Sequence, residues 1–440
     1  MTDLRDRLQA GLERATIGRV SRRLLPVMFA LFVANYLDRV NVSFAALQMN
    51  RDLAFSGAAY GFGAGMFFLG YCVFQLPSNL LLQRIGARRW IGALAIGWGV
   101  VAVCMMFVRD TTGFNFLRFL LGAVEAGFFP GMILYLTRWF PARERARATA
   151  RFMAAVPIAQ IIGGPISGAL LGLQGVAGLA GWQWLFLLEG LPSIVLGCLV
   201  FAWLADRPED AAWLPAAERD WLQGELRRES PPAADSAPAS SVLLSSPSLW
   251  WLGVLWLTIN LVGNGQLLWL PQLIKGATGI GNFKVGVLSV VPPLVAAFVM
   301  VRVAALSDRT GERRGYVAGA CLVSAAGFLA TATALHSPLL ATAALSVVAI
   351  GIAASFGPFW SLATTALPPG TAGVGAAVIS SIGSLGGFAG PYAVGLAKDA
   401  TGGFGGALVW FAVLSEIAAV LARFTPLGRT AGSATARSAP

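Results

Sequence analysis

Apolar stretches long enough to cross a lipid bilayer recur along the whole of this 440-residue chain, and they restrict the folds open to it. The chain is 56% hydrophobic and 12% charged, with a mean hydropathy of +0.70, whereas soluble domains carry about 25% charged residues. About 20 apolar residues cross the hydrocarbon core as a helix, because lipid offers the backbone no hydrogen-bond partners. The sequence therefore predicts an all-α membrane protein.

Two pairs of ionisable residues interrupt these apolar stretches. Asp38 and Arg39 lie within LLPVMFALFVANYLDRVNVSFAA, and Arg118 and Glu125 lie within FNFLRFLLGAVEAGFFPGMILYL. A charged side chain at membrane depth is costly unless it is paired or lines a wet cavity, so it marks a functional site. These four residues predict a polar cavity that handles protons and an anion.

The apolar stretches predict twelve transmembrane helices in two bundles of six. Arginine and lysine concentrate in alternate loops, which places both termini in the cytoplasm by the positive-inside rule. The polar segment 205–248 divides an N-terminal bundle, 1–204, from a C-terminal bundle, 249–440. Within that segment, DRPEDAAWLPAAERDWLQGELRRE predicts a short amphipathic cytoplasmic helix and PPAADSAPASS a flexible linker. The predicted spans are 24–46, 58–82, 90–108, 114–137, 150–172, 182–204, 249–274, 284–306, 315–335, 338–363, 373–397 and 404–424.

The two halves of the chain are similar in sequence. QRIGARR at 83–89 aligns with DRTGERR at 308–314, and IGGPISG around Pro165 aligns with GFAGPYAVG around Pro391 at almost the same offset. Two matches in corresponding spans indicate a duplicated six-helix unit. Paired repeats that enclose a midplane site are typical of secondary transporters.

Several motifs resemble the major facilitator superfamily and, within it, the anion:cation symporter family. They are NYLDRVN in span one, FFLGYCVFQLPSNLLLQRIGARRW in span two, RFLLGAVEAGFFPG in span four, RWFPARERARA after it, and GWQWLFLLEGLP in span six. The resemblance implies the major facilitator fold and transport of sugar acids, tartrate, phthalate or similar carboxylates.

The resemblance also implies roles for the four intramembrane charges. Asp38 and Glu125 would be the protonation sites, and Arg39 and Arg118 their partners. Protonation of a carboxylate paired with Arg118 would free the guanidinium group to bind the substrate carboxylate. The alternative is a permanent ion pair that only stabilises helix packing. Since adjacent residues point about 100° apart on a helix, Asp38 and Arg39 need not face the same cavity.

Other polar residues inside the spans are candidates for substrate contact. Each can instead make a hydrogen bond between helices or to a backbone carbonyl group. Glu189 and Glu416 also lie in spans, and the sequence gives neither a role. The candidates are Tyr36, Tyr71, Gln160, Asn260, Asn264, Trp360, Ser361, Ser380 and Ser384.

The loops after spans two and eight resemble the superfamily's conformational latch. The first loop has Asn79 and Gln83 where the signature has glycine and aspartate, whereas the second keeps the acid as Asp308 but has Ala304 at the glycine position. We therefore expect the latch to depend on the C-terminal copy. The predicted latch residues are Arg84, Gly86, Arg88, Asp308, Arg309, Gly311 and Arg313.

The same sequence excludes several other classes of protein. The net charge of +11 does not indicate nucleic-acid binding, because the arginines lie in short loops and not on a soluble basic face. There is no Walker loop, nucleophile–base constellation or Cys/His cluster, so we expect no enzyme, cofactor or metal site.

We interpret the chain as a monomeric transporter of the bacterial inner membrane. It would take up a small organic anion, a sugar acid or small carboxylate, together with protons by alternating access. The alternative is an anion exchanger or exporter on the same fold.

Overall fold

The computed structural model describes residues 2–229, 245–276, 279–367 and 371–426, and all regular secondary structure within those ranges is helical. The predicted linker PPAADSAPASS lies outside the described residues. The chain forms two compact units, Met1–Ala234 with Leu267–Val290, and Asp235–Gln266 with Val291–Pro440.

Eleven helices contribute to the first unit. Helix α10 begins in the second unit and enters the first at Leu267. The helices are α1 (Thr2–Asp52), α2 (Gly57–Ile85), α3 (Ala87–Cys104), α4 (Thr111–Glu125), α5 (Phe128–Trp139), α6 (Ala142–Met153), α7 (Ala155–Leu170), α8 (Gly181–Trp203), α9 (Ala216–Glu229), α10 (Pro247–Gly276) and α11 (Asn282–Leu288).

The second unit contains the first part of α10 and five further helices. Their buried residues include leucines, aromatic residues, small residues and the hydroxyl groups of serines and threonines. They are α12 (Val291–Thr310), α13 (Arg314–Ala334), α14 (Pro338–Ala366), α15 (Ala372–Thr401) and α16 (Gly405–Arg423).

The predicted number of twelve spans is not confirmed. Ten helical segments of the described residues are long and apolar enough to cross a membrane. The two predicted spans missing from that set are 24–46, within α1, and 249–274, within α10. Both helices are long enough, but polar side chains such as Asn35, Asp38, Asn260 and Asn264 lower their mean hydropathy.

Predicted span four is broken into two helices beside one of its charges. Asp110 caps the start of α4, where its Oδ1 accepts from the Gly113 N–H at 2.7 Å. The helix ends at Glu125, and α5 begins at Phe128. A methyl group on Gly127 would lie 1.8 Å from Ser78 Oγ, so the close approach of α2 at this break requires glycine. The break makes Glu125 the last residue of α4.

Close backbone contact fixes α4 against α2. A methyl group on Gly122 would lie 1.9 Å from the carbonyl oxygen of Phe67. Small residues at helix contacts are a main source of packing inside a bilayer, where water does not drive helices together. This contact places Phe67 of α2 beside the charged residues of α4.

A candidate site of buried charges in the first unit

Glu125 forms an ion pair with an arginine of another helix. Its Oε2 accepts from Arg39 Nη2 of α1 at 3.2 Å, and the Glu125 side chain has no exposed surface while that of Arg39 is 27% exposed. Asn35, also on α1, interacts with the same carboxyl group. Arg39 and Arg118 were both expected as partners of the two carboxyl groups. Among the described residues the ion pair of Glu125 is with Arg39, and Arg118 acts on Glu125 only through its charge.

Arg118 is almost fully buried and bonds to the backbone. It is 1% exposed, and its Nη2 donates to the carbonyl oxygen of Ala64 at 3.2 Å. Its guanidinium carbon lies 5.0 Å from the centre of the Phe67 ring, as does that of Arg39. Such contacts with an aromatic ring are favourable to a cation. One aromatic ring thus contacts both arginines of the candidate site.

Asp38 points away from Arg39 and towards α8. It has no exposed surface, and its Oδ2 accepts from the Ser193 hydroxyl group at 2.6 Å. The Trp98 indole of α3 interacts with the same carboxyl group. Asp38 forms no ion pair among the described residues. Its neighbour in the sequence, Arg39, is charged, whereas Ser193 and Trp98, which lie beside it in space, are neutral.

The substrate-binding candidates of the first unit are partly exposed, whereas Arg118 is buried. Tyr36, Tyr71 and Gln160 are half-buried, as Arg39 is. Gln160 Nε2 donates to the Tyr36 hydroxyl oxygen at 2.6 Å, and the Arg39 guanidinium carbon lies 5.3 Å from the Tyr71 ring centre. Tyr36 and Gln160 therefore contact each other, and Tyr71 lies beside Arg39.

The candidates of the second unit are half-buried, and several bond to their own helix. Asn260 Nδ2 donates to the Trp256 carbonyl oxygen at 2.9 Å, and Asn264 Nδ2 donates to that of Asn260 at 3.0 Å. The Ser384 hydroxyl group donates to the Ser380 carbonyl oxygen at 3.1 Å. Trp360 packs edge-on against Trp256 with ring centres 5.1 Å apart, and Ser361 and Ser380 are half-buried.

The first latch loop obtains its carboxylate from a residue that the sequence reasoning missed. Asp206, just after α8, accepts from the Arg88 backbone N–H at 2.8 Å. The Arg88 side chain bonds to the Phe201 carbonyl group. Gly86 has φ of 94°, and a methyl group there would lie 3.2 Å from Asp206 Oδ1. Arg84 is exposed.

The second latch loop contains its own carboxylate. Arg313 Nη1 donates to Asp308 Oδ1 at 2.6 Å and to Ser307 Oγ at 3.1 Å. Gly311 has φ of 70°, and Arg309 is exposed. Both copies therefore have an arginine bonded near a left-handed glycine, and they differ in where the acid comes from.

Polar residues around the buried charges could have been found from helix spacing. Ser193 and Glu189 lie four residues apart in apolar span six, and Asn35, Asp38 and Asn41 recur every three residues in span one. Such spacing places side chains on one helix face. Phe67, by contrast, is one aromatic residue among many and carries no such signal.

This fold and this buried charge arrangement define a membrane transporter rather than an enzyme. Residues 27–391 match the model of the Major Facilitator Superfamily, and the chain belongs to that superfamily. It is 45% identical over 438 residues to an Agrobacterium vitis protein named "Putative tartrate transporter", covering 98% of this chain and 99% of that protein. Such relatives are consistent with an anion transporter family.

Two further similarities extend the comparison. An Acinetobacter baumannii protein named "Quinolone resistance transporter" is 36% identical over 93% of this chain and 94% of its own length. The crystal structure of a bacterial homologue of the human lysosomal transporter Spinster, inward-facing and unoccupied, matches with a TM-score of 0.80 at 18% identity, over 92% of this chain and 97% of that one. At that identity the second match shows the fold alone.

Proposed function

We propose that this protein takes up a small organic anion together with protons across the bacterial inner membrane, by alternating access. The observation that carries the proposal is the buried Glu125 carboxylate on the partly exposed Arg39. Protonating Glu125 removes the charge that holds Arg39, so the guanidinium group becomes available to a substrate carboxylate. Proton and anion then bind with positive coupling, as symport requires.

Arg118 and the half-buried side chains have complementary roles in this proposal. Arg118 supplies a second positive charge, which favours an anion over a neutral sugar. Tyr36, Tyr71 and Gln160 offer hydroxyl and amide groups in the first unit. In the second unit, Asn260 and Asn264 each use one amide N–H within their helix, so the other N–H and the oxygen of each amide can bond to substrate hydroxyls.

The substrate class follows from the charges and from the relatives. Two arginines suit a hydroxylated dicarboxylate or a sugar acid, and the Agrobacterium vitis relative is named for tartrate. We therefore take tartrate as the first probe, followed by sugar acids and then benzoates in a thermal-shift screen of the purified protein.

The test uses the full chain in proteoliposomes with an imposed pH gradient. We expect Glu125→Gln to abolish concentrative uptake of the anion and to keep counterflow, because a neutral amide cannot exchange a proton but leaves the helix geometry intact. Glu416→Gln is the matched control, since Glu416 is an exposed acid on α16. A Glu125→Gln protein that still concentrates the anion contradicts the proposal.

The second candidate function is obligatory exchange or export on the same fold. It is favoured by the name of the Acinetobacter baumannii relative. Liposomes without internal anion separate the two functions, because symport fills them under an inward proton gradient and obligatory exchange does not. A quinolone driven in the direction opposite to the proton gradient would support export.

A further inference from the structure

A line of polar side chains runs along the face of α1 that packs on α8. Asp38, Asn41, Gln48 and Asp52 are spaced by three, seven and four residues, so they lie along one face of the helix. They are nearly or fully buried except Asp52, at the exposed end of α1. A buried polar stripe on a membrane helix is costly, so it needs a functional explanation.

Three members of the stripe form hydrogen bonds with α8 or with the segment between α7 and α8. Asp38 Oδ2 accepts from Ser193 Oγ, and Asp52 Oδ2 accepts from Trp182 Nε1 at 3.2 Å. Gln48 Nε2 donates to the Leu171 carbonyl oxygen at 3.0 Å. The polar side chains of the stripe thus extend from the middle of α1, at Asp38, to its end at Asp52. We call this contact the α1–α8 seam.

Glu189 is the ionisable residue that α8 contributes to the middle of the seam. It is 4% exposed, and its Oε1 accepts from the Ser167 hydroxyl group of α7 at 2.7 Å. The Asn41 amide interacts with the same carboxyl group, although neither Asn41 Nδ2 nor Glu189 Oε2 has a hydrogen-bond partner of standard geometry in the described residues.

The carboxyl groups of Asp38 and Glu189 lie about one helical turn apart along the seam. Ser193 follows Glu189 by four residues on α8, and Asn41 follows Asp38 by three on α1, so the pairs Asp38–Ser193 and Asn41–Glu189 are about one helical turn, roughly 5 Å, apart. Their charges interact. Two such acids repel each other when both are ionised, so a proton on one lowers the cost of ionising the other.

The partners of Glu189 suit both of its protonation states. A buried carboxylate is normally paired with a cation, but among the described residues Glu189 forms no ion pair. Hydroxyl and amide groups instead donate to a carboxylate and accept from a carboxylic acid. The groups that face Asp38 and Glu189 are neutral apart from Glu125 of α4, whose charge acts on Asp38. The neutral groups are Asn41, Trp98, Ser167 and Ser193.

We propose that Glu189 is a third proton-binding carboxyl group, which exchanges protons with Asp38 inside the α1–α8 seam. The proton leaves an oxygen of one carboxyl group and joins an oxygen of the other, so the first becomes a carboxylate and the second a carboxylic acid. This inference rests on the proposed proton-coupled function. It gives protons a route within the first unit that does not pass the arginine-bound Glu125.

The experiment compares Glu189→Gln with wild type in proteoliposomes. Glutamine keeps the oxygen that accepts from Ser167, so the packing is preserved. We expect the initial rate of pH-gradient-driven uptake to fall at least about tenfold, its pH profile to flatten, and counterflow at equal pH to stay within about twofold. An unchanged rate and pH profile, or an equal loss of counterflow, overturns the proposal.

Two further variants make the result decisive. Should Glu189→Gln not fold, Glu189→Asp keeps a titratable group one methylene shorter, and we expect a displaced pH profile; an unchanged profile overturns the proposal. Glu125→Gln is measured in parallel. If it loses concentrative uptake while Glu189→Gln behaves as wild type, only the role of Glu189 fails. If Glu125→Gln still concentrates the anion, the proposed function fails and this inference with it.

Discussion

The buried polar side chains of the two units differ in where their hydrogen-bond partners lie. In the first unit, side chains of different helices bond to one another, as Arg39 does to Glu125 and Ser193 to Asp38. In the second, most buried hydroxyl groups bond to the carbonyl group of their own helix, as Ser346 does to Thr342 and Ser415 to Phe411, whereas Ser324 bonds to Val348 of a neighbouring helix. A bond within one helix survives any movement of that helix, whereas a bond between helices depends on their relative position and on charge.

This contrast predicts that the first unit performs the ion chemistry and the second unit is electrically neutral support. Within the described residues, the fully buried charges belong to the first unit. Substitutions that remove a charge should therefore have large effects in the first unit, and substitutions in the second should have graded effects on affinity.

The largest expected effect comes from Arg39→Ala. It leaves Glu125 buried without a cation, and breaking a buried pair by removing one partner costs about 3–5 kcal/mol unless the acid is protonated. We expect uptake to fall at least about 100-fold, measured as the initial rate in proteoliposomes. Arg302→Ala is the control, because Arg302 is an exposed arginine on α12. Equal losses of uptake in the two variants would contradict the proposed difference between the two units.

A smaller effect is expected from Arg118→Lys. An ammonium group cannot reproduce the planar donor that bonds Ala64 and lies over Phe67. We expect the dissociation constant of the anion to rise about tenfold or more, measured by thermal shift or calorimetry. Asn264→Ala in the second unit loses a neutral hydrogen bond of about 0.5–1.5 kcal/mol and should weaken binding less. The opposite ranking would contradict the division between the units.

The smallest effects are expected at the two latch glycines. Gly86→Ala forces a side chain into φ of 94° and against Asp206, whereas at Gly311, with φ of 70°, nothing lies within 4 Å of an added methyl group. Unusual backbone conformations cost about 1–3 kcal/mol each. We expect Gly86→Ala to lower the melting temperature by several degrees, and Gly311→Ala by less. Equal shifts would show that Asp206 does not constrain the first loop.

The helical fold could be predicted from the sequence because apolar length is a local property, and the superfamily was inferred from the resemblance of the motifs. The number of membrane helices could not be confirmed, since α1 and α10 carry the polar residues of the interior and lose the apolar signal. Helices α4 and α5 show the same limit. Gly127, within the break after Glu125, packs against Ser78 of another helix, and no local pattern contains that contact.

The charged residues of the candidate site could be predicted from the sequence, but their ion-pair partners could not. A charge within an apolar stretch is visible in the sequence, so Asp38, Arg39, Arg118 and Glu125 were found. The choice of Arg39 as partner depends on how α1 packs beside the end of α4. Asp206 was missed because it follows α8 in a polar segment, where an aspartate is ordinary.

Phe67 links the rigidity of the first unit to its charges. Its carbonyl group abuts Gly122, and its ring contacts the guanidinium groups of Arg39 and Arg118. Because the Phe67 backbone packs against Gly122, we expect the ring to keep the two guanidinium groups at a nearly constant separation. We expect this separation to determine which length of anion the protein binds best.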